Sequence, residues 1–371
     1  MNRKRIAAVL SVCFLLLAGT PVSAEDPEIS AYAAVVYDPS TESVLYEKNS
    51  GEVLPMASTT KIMTALLAFE SGRAEEPVEI TEEMVAVEGS SMGLMPGDVL
   101  TLGNLASGMM LASGNDGANA IAVFLGGDAE GFAAQMNARA AEIGMTQTRF
   151  VTPSGLDAEG HGSTALDMAR LAAAAMENPM FRETVGQSAL SVPFLSPEKS
   201  VRYENHNRLL QLYEGCIGVK TGFTKKAGRC LVSAAERDGA MLICVTLNAP
   251  DDWNDHAALL DHGFAQFSER TLPIEAGARF LPVAGGKSDL VLCRAEVLPR
   301  AVLPETAEVS VRAVMPRFVY APVNAGDIVG ALVYTVNDTI VAEVPLIAGA
   351  YVPAADDPRN AFEKWLDRVF G

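Results

Sequence analysis

Apolar and polar residues alternate in different ways along the chain, and the changes predict where its parts begin and end. Residues 31–47 hold two β-prone runs around a polar turn, which predicts a hairpin. After residue 58 the apolar side chains recur every three to four positions, which predicts a helix that Gly72 closes. Helical spacing also dominates residues 100–176, where glycines separate the segments.

Strand-like patterns return beyond residue 215. Runs at 217–221, 230–235 and 241–247 predict three strands, and helical spacing over 251–270 follows them. Helices and strands are therefore segregated along the chain instead of alternating one by one. This order predicts an α+β domain, residues 25–271, in which helices cover an antiparallel sheet.

The remainder of the chain predicts a second, smaller domain and a tail. Short β-type runs separated by turns fill residues 272–352 and predict an all-β sandwich. Residues 353–371 predict a linker and an amphipathic helix, with apolar side chains at Phe362, Trp365, Leu366, Val369 and Phe370. The helix over 359–371 has two interpretations, a peripheral membrane contact or a helix docked on the protein.

The first 24 residues predict a secretory signal peptide, so the mature protein is expected to be exported. A basic start precedes an apolar run at 6–18 that is shorter than a bilayer requires, and small residues at 22–24 suit cleavage. Three basic residues and no acidic ones leave with this segment, so the net charge changes from −18 to −21. Such a charge excludes nucleic acid as a general partner.

Four cysteines follow the signal peptide, namely Cys216, Cys230, Cys244 and Cys293. Export permits disulfides, but four thiols in a chain of this length do not make a disulfide scaffold. We expect mostly buried free thiols, although three complete pairings stay open.

Ser58 and Lys61 stand three residues apart at the start of the first predicted helix. This spacing places both side chains on one face, where the lysine can take the serine proton if its own charge is suppressed. A serine and a lysine three residues apart recur at Ser196 and Lys199. This segment is polar and contains a proline, so we expect an exposed loop there.

Two further motifs carry polar groups suited to a cleft. Ser113 and Asn115 flank Gly114 at a break between helical segments, where helix capping is the alternative interpretation. Lys220 interrupts an apolar strand, and Gly222 beyond it would let a ligand approach the backbone. A lysine protecting a sheet edge is the alternative for that strand.

These motifs, S-x-x-K, S-x-N and K-T-G in that order, are typical of penicillin-recognising serine enzymes. Together with 90–94, 153–156, 161–165 and 220–224, the sequence over about 25–352 resembles the low-molecular-mass penicillin-binding proteins that act as D-alanyl-D-alanine carboxypeptidases. The resemblance implies a penicillin-binding-protein/β-lactamase-like catalytic domain, peptidoglycan peptides as substrates and β-lactams as inhibitors.

The resemblance also implies a role for each motif residue. Ser58 would form the acyl-enzyme with Lys61 as its base, and Ser113 and Lys220 would pass a proton to the leaving D-alanine. Asn115 would orient Lys61 and the substrate. Thr221 would hold the substrate carboxylate, beside Gly222, and the N–H groups of Ser58 and Phe223 would form the oxyanion hole. His206 stands where some relatives place a carboxylate-binding arginine.

Two other functions remain as alternatives. A β-lactamase-type hydrolase would need a loop glutamate for deacylation, and the corresponding segment 153–162 contains Glu159. A non-catalytic wall-binding or membrane-binding module is disfavoured by the intact serine and lysines. The four histidines lack metal-ligand spacing, and we expect neither a metal nor a cofactor.

Overall fold

A computed structural model of the chain describes residues 26–273, 279–356, 365 and 368–370. The predicted signal peptide, residues 1–24, lies outside the described residues, and so does most of the predicted linker and tail helix at 353–371. None of the described helices is long and apolar enough to cross a lipid bilayer.

Residues 33–264 form a central sheet, its covering helices and two small hairpins. The elements in chain order are β1 (Ala33–Asp38), β2 (Ser43–Lys48), a 3₁₀ turn (Ala57–Thr60), α1 (Lys61–Glu70), β3 (Pro77–Glu79), α2 (Glu82–Val85), β4 (Val99–Thr101), α3 (Leu102–Ala112), α4 (Asn115–Gly126), α5 (Ala129–Glu142), α6 (Ala165–Glu177), α7 (Pro179–Gly186), β5 (Ala189–Phe194), β6 (Lys199–Glu204), α8 (Leu209–Leu212), β7 (Cys216–Thr224), β8 (Gly228–Arg237), β9 (Ala240–Leu247) and α9 (Asp252–Phe264).

The central sheet is antiparallel throughout, with strand order β2-β1-β9-β8-β7. Neighbouring side chains of β1 pack on opposite faces: Val35 faces the core formed with the α1–α6 helices, whereas Val36 faces α9. Because both faces are covered, β1 is buried along its whole length and shows no polar alternation. The predicted helix-covered antiparallel sheet is confirmed, and β7 forms its edge.

One predicted boundary within this part is wrong. The helical spacing over 251–270 suggested a single helix, but α9 ends at Phe264 and Phe267 begins a strand, β10 (Phe267–Thr271). This strand pairs with β13 (Arg300–Pro304), which the sequence analysis did not predict. Local periodicity cannot reveal a partner 30 residues away, so pairing with later residues overrides the helical pattern. The boundary at 271/272 stays a prediction.

The C-terminal part is all-β, as expected. Beyond β10 its strands are β11 (Arg279–Ala284), β12 (Leu290–Arg294), β13, β14 (Ser310–Val314), β15 (Val319–Tyr320), β16 (Ile328–Val336) and β17 (Thr339–Ala348). Six of them form a sheet of order β14-β16-β17-β12-β11-β15. The predicted turn after β16 is tight, with left-handed Asn337 and Asp338, and the Asn337 side chain donates to the Thr41 carbonyl in the β1–β2 turn.

The described cysteines are free thiols: Cys230, Cys244 and Cys293 are buried and Cys216 is partly buried. The expectation of mostly buried free thiols is thereby confirmed. Burial raises the pKa of the Cys230 thiol to about 11, which keeps it protonated and unreactive at neutral pH.

Candidate active site

The three sequence motifs meet beside the edge strand β7, although more than 100 residues separate the first motif from the last. Ser58 lies in the 3₁₀ turn before α1, and its Oγ is 2.9 Å from Nζ of Lys61 one turn later. Lys220 reaches across from β7, and its Nζ donates to Ser113 Oγ at 3.0 Å. A hydroxyl and two buried amino groups thus line a single site.

Lys61 is fully buried and surrounded by three oxygen atoms. Its Nζ lies 2.7 Å from Asn115 Oδ1, 2.8 Å from the Ser154 carbonyl and 2.9 Å from Ser58 Oγ. Two of these oxygens belong to carbonyl groups and can only accept hydrogen bonds. When the amine is neutral, these two acceptors take both of its N–H groups, and its lone pair is then directed at the serine hydroxyl.

Burial is the main cause that lowers the pKa of Lys61 well below its ordinary value, and the positive charge of Lys220 lowers it further. Burial alone lowers the pKa of Lys220 to about 7. Both effects have the same physical origin, because an ammonium group removed from water loses its hydration. The site therefore holds one amine whose charged form is strongly disfavoured, Lys61, and one that titrates near neutral pH, Lys220.

Ser113, which has a left-handed backbone conformation, provides the second hydroxyl group of the site after Ser58. Ser113 ends α3 with φ of 56°, and Gly114 is the N-cap residue of α4, so Ser113 and Asn115 both direct their side chains at the lysines. Neither side chain caps α4. Side-chain capping of α4, the alternative interpretation of this motif, is therefore wrong, although the backbone of Ser113 occupies the C-cap position of α3.

Gly222 allows the edge strand to lie directly against the Ser58 turn. A Cβ at this position would be 3.0 Å from the Ser58 nitrogen and 3.1 Å from the Met56 carbonyl oxygen, tighter than ordinary packing. The contact lies at the cleft between β7 and the helices, which both Ser58 and Gly222 line. This cleft, with a volume of about 300 Å³, is lined by Ser58, Ser90, Ser113, His206, Thr221, Gly222, Phe223, Arg229, Asp252 and Trp253.

The segment 153–162 contacts the Ser58 turn and helps to hold it in place. Thr60 Oγ1 donates to the Ala57 carbonyl, 2.9 Å away, and lies 3.0 Å from Nε2 of His161. The other ring nitrogen of His161 accepts the Val151 N–H, so Nε2 carries the proton and donates to Thr60. Burial lowers the pKa of His161 to about 4, and the imidazole stays neutral.

Asp116 is a site residue that the sequence analysis missed. Its carboxylate accepts hydrogen bonds from Ser91 Oγ and from the backbone N–H groups of Met92, Gly93 and Leu94. Next to it, Asn115 donates to the Glu88 carbonyl. The segment 88–94, which carries Ser90 into the cleft, is thus tied to the start of α4. An aspartate directly after the S-x-N motif was the available indication.

Other residues singled out in the sequence lie elsewhere. Ser196 lies in the exposed turn between β5 and β6, and Lys199, the first residue of β6, pairs with Asp98 at 2.7 Å, so neither residue lines the cleft. His206, by contrast, does line the cleft. Among the described residues, no three histidine, cysteine, aspartate or glutamate side chains are grouped closely enough to hold a metal ion.

Comparison with known proteins agrees with this geometry. Residues 20–251 match the family described as D-alanyl-D-alanine carboxypeptidase. The chain belongs to the D-alanyl-D-alanine carboxypeptidase family. Residues 273–354 match the C-terminal domain of penicillin-binding protein 5. The carboxypeptidase is therefore a serine hydrolase of peptidoglycan peptides ending in D-Ala-D-Ala and a penicillin-binding protein.

Similar proteins cover both parts of the carboxypeptidase. The D-alanyl-D-alanine carboxypeptidase DacF of Bacillus subtilis is 31% identical over 99% of this chain and 98% of its own. DacC of Escherichia coli is 33% identical over 91% of this chain and 89% of its own. The crystal structure of DacD from Francisella tularensis superposes with a TM-score of 0.64 at 26% identity, covering 89% of this chain and 95% of that one. The Streptomyces K15 DD-transpeptidase reaches 0.62 at 31% identity, covering 65% of this chain and 99% of its own.

We predict that Asp116→Asn loosens segment 88–94. The amide nitrogen of asparagine would face hydrogen-bond donors, so at least one buried N–H loses its partner at about 1–3 kcal/mol. Faster proteolysis at 88–94 and about tenfold slower acylation by penicillin should follow. Asp128→Asn is the control, because Asp128 only caps α5 and asparagine caps almost as well. Equal behaviour of the two variants would contradict the role of Asp116.

Proposed function

We propose that this carboxypeptidase releases the terminal D-alanine through an acyl-enzyme on Ser58. The supporting observation is the 2.9 Å contact between Ser58 Oγ and Nζ of the fully buried Lys61. Serine is a weak nucleophile until a neighbouring base removes its proton. Lys61 is the base: its two N–H groups are held by Asn115 and Ser154, and its lone pair accepts the proton of Ser58.

Lys220 and Ser113 deliver a proton to the leaving D-alanine. The contact between Lys220 Nζ and Ser113 Oγ forms a path from an ammonium group to a hydroxyl on the cleft wall. When the peptide bond breaks, the amine needs one proton, which Ser113 donates and Lys220 replaces. A pKa of about 7 suits Lys220 to both giving and regaining this proton at neutral pH.

The remaining motif residues bind the substrate. The N–H groups of Ser58 and Phe223 flank the point where Gly222 meets the nucleophile turn, and they stabilise the oxyanion. Asn115 is held by Glu88 and orients Lys61 and the substrate amide. Thr221 lines the cleft and contacts the substrate carboxylate.

Deacylation distinguishes the carboxypeptidase from a β-lactamase-type hydrolase. The 153–162 segment presents the Ser154 carbonyl to Lys61, while Glu159 is exposed to solvent. In class A β-lactamases a loop glutamate is the base for deacylation, and a backbone carbonyl cannot act as a base in its place. With nitrocefin we therefore expect one burst of hydrolysis per enzyme; rapid steady turnover would favour the β-lactamase alternative.

The enzyme works outside the cytoplasm and contacts the membrane through residues 359–371. A leader-like segment at 1–24 and the wall peptides as substrates support the location. The described side chains of the tail support the contact, because Trp365, Val369 and Phe370 are each at least half exposed.

Ser58→Ala should abolish both labelling by a fluorescent penicillin and release of D-alanine from a pentapeptide ending in D-Ala-D-Ala. The reason is that, among the described residues, the other two oxygens bonded to Lys61 Nζ belong to an amide and a backbone carbonyl and cannot form the ester. Ser196→Ala, which alters the exposed copy of the motif, should leave both signals unchanged. Persistent labelling of the Ser58 variant would remove it as the nucleophile.

Lys220→Ala should slow acylation about 100-fold or more, the usual contribution of a positioned acid or base. Without the positive charge of Lys220, the pKa of Lys61 rises. Because only neutral Lys61 is a base, the acid limb of the kcat/KM profile should move to higher pH. Lys199→Ala serves as the control, and an acid limb that stays in place or moves to lower pH would contradict the coupling.

Removal of residues 357–371 should shift the mature enzyme from the vesicle-bound to the free fraction in flotation with anionic vesicles. D-Alanine release by the truncated enzyme in solution should stay within about twofold, since the described cleft lies in residues 58–253. Identical partitioning of both forms would show that the tail makes no membrane contact.

A further inference from the structure

The outer side of the C-terminal sheet is apolar, although it faces solvent. Side chains along β11 and β12 alternate between buried and exposed positions, as expected for strands that pack on one side only. The inward positions join a buried cluster, and the outward positions of such strands are ordinarily polar. Here they are mostly apolar. We call this exposed set the outer face, and its residues are Phe280, Pro282, Leu290, Leu292, Phe318 and Tyr320.

The members of the outer face adjoin one another across three strands. Phe280 lies opposite Leu292 in the β11–β12 pair. Tyr320 of β15 lies beside the end of β11, and its ring meets the Phe318 ring edge-on with 5.2 Å between the centroids. Apart from Pro282, each of the six side chains is at least 40% exposed. A contiguous exposed apolar surface marks a contact site for lipid or for another macromolecule.

The outer face carries little charge compared with the rest of the protein. Among the outward side chains of β11, β12 and residues 318–320, Arg294 at the end of β12 is the one that is charged. Charged residues make up 20% of the whole chain, and its net charge is −18. An anionic bilayer therefore repels most of the protein surface, whereas the outer face contains no acidic residue.

The tail of the chain begins at the edge of the outer face. Residues 353–356 run along the β11–β12 turn, where the Ala355 N–H donates to the Gly285 carbonyl at 2.8 Å. Leu290 of the outer face follows the same turn. The described apolar side chains of the tail are at least half exposed, so they are not buried on the outer face. Two exposed apolar surfaces thus start from one place on the protein.

We propose that the outer face is a lipid-binding surface that lies on the membrane beside the tail. The proposal rests on the proposed membrane contact of residues 359–371, because that contact brings the outer face to the bilayer. Binding to a bilayer strengthens with the apolar area removed from water, and tyrosine suits the boundary between lipid and water. The Tyr320 hydroxyl is the one polar side-chain group of the outer face, which favours lipid over a sugar chain as the occupant.

The test measures how the full mature enzyme partitions into vesicles of phosphatidylethanolamine and phosphatidylglycerol. Phe280→Thr/Leu292→Thr removes a cross-strand apolar pair but keeps residues suited to strands. It should lower the partition coefficient about tenfold. The loss should be the same at low and at high ionic strength, because salt does not screen apolar contacts. D-Alanine release within about twofold of the unaltered enzyme would verify that the variant is folded.

Ile340→Thr/Val302→Thr is the matched control. Ile340 and Val302 are 57% and 41% exposed, against 58% and 40% for Phe280 and Leu292. Neither control residue belongs to the outer face: Ile340 follows the turn that contacts Thr41, and Val302 lies in the β10–β13 pair. The control variant should partition like the unaltered enzyme.

Equal partitioning of the outer-face variant and its control would overturn the proposal. Unchanged partitioning together with loss of a dimer in analytical ultracentrifugation, or with loss of binding to insoluble peptidoglycan, would overturn it as well and assign the face to a second copy or to the wall. The tail contact is tested separately by removal of residues 357–371. If that removal has no effect while the outer-face variant binds less lipid, the tail contact fails and the outer face stands.

Discussion

Two amino groups held out of water beside one serine hydroxyl are the constraint on which the rest of the site depends. Burial suppresses the charge of Lys61, and the neighbouring charge of Lys220 suppresses it further. An exposed lysine would be protonated and could not take the proton of Ser58. The helices, the sheet edge and the segment 153–162 are all needed to keep solvent from these two side chains.

Burying amino groups is costly unless each N–H has an acceptor, and the fold supplies these acceptors from distant segments. Asn115 and the Ser154 carbonyl serve Lys61, whereas Ser113 and the Thr221 carbonyl serve Lys220. Each acceptor is in turn positioned by a local feature, such as the left-handed Ser113 at the end of α3. The same contacts that offset the cost of burial therefore also set the reactive geometry.

The wall of the cleft carries both uncharged hydroxyl groups and charged side chains. The serine hydroxyls of Ser58, Ser90 and Ser113 line it together with Arg229, which is paired with the Asp252 carboxylate. The all-β C-terminal part contributes no residue to the described cleft lining, although Asn337 contacts the turn of the first hairpin.

The sequence alone determined the main helices and strands of residues 31–264 and the chemistry of the motifs. Periodicity predicted the hairpin, the helices and the three sheet strands, and residue types at short spacing indicated Ser58, Lys61, Ser113, Asn115 and Lys220, because both signals are local. Only the tertiary structure decided which groups meet. Residues 267–271 form a strand paired with β13 despite their helical pattern. Asp116 accepts hydrogen bonds from residues 91–94, and Arg229 lines the cleft. These contacts join distant residues, and no local pattern encodes the partner that burial brings beside a side chain.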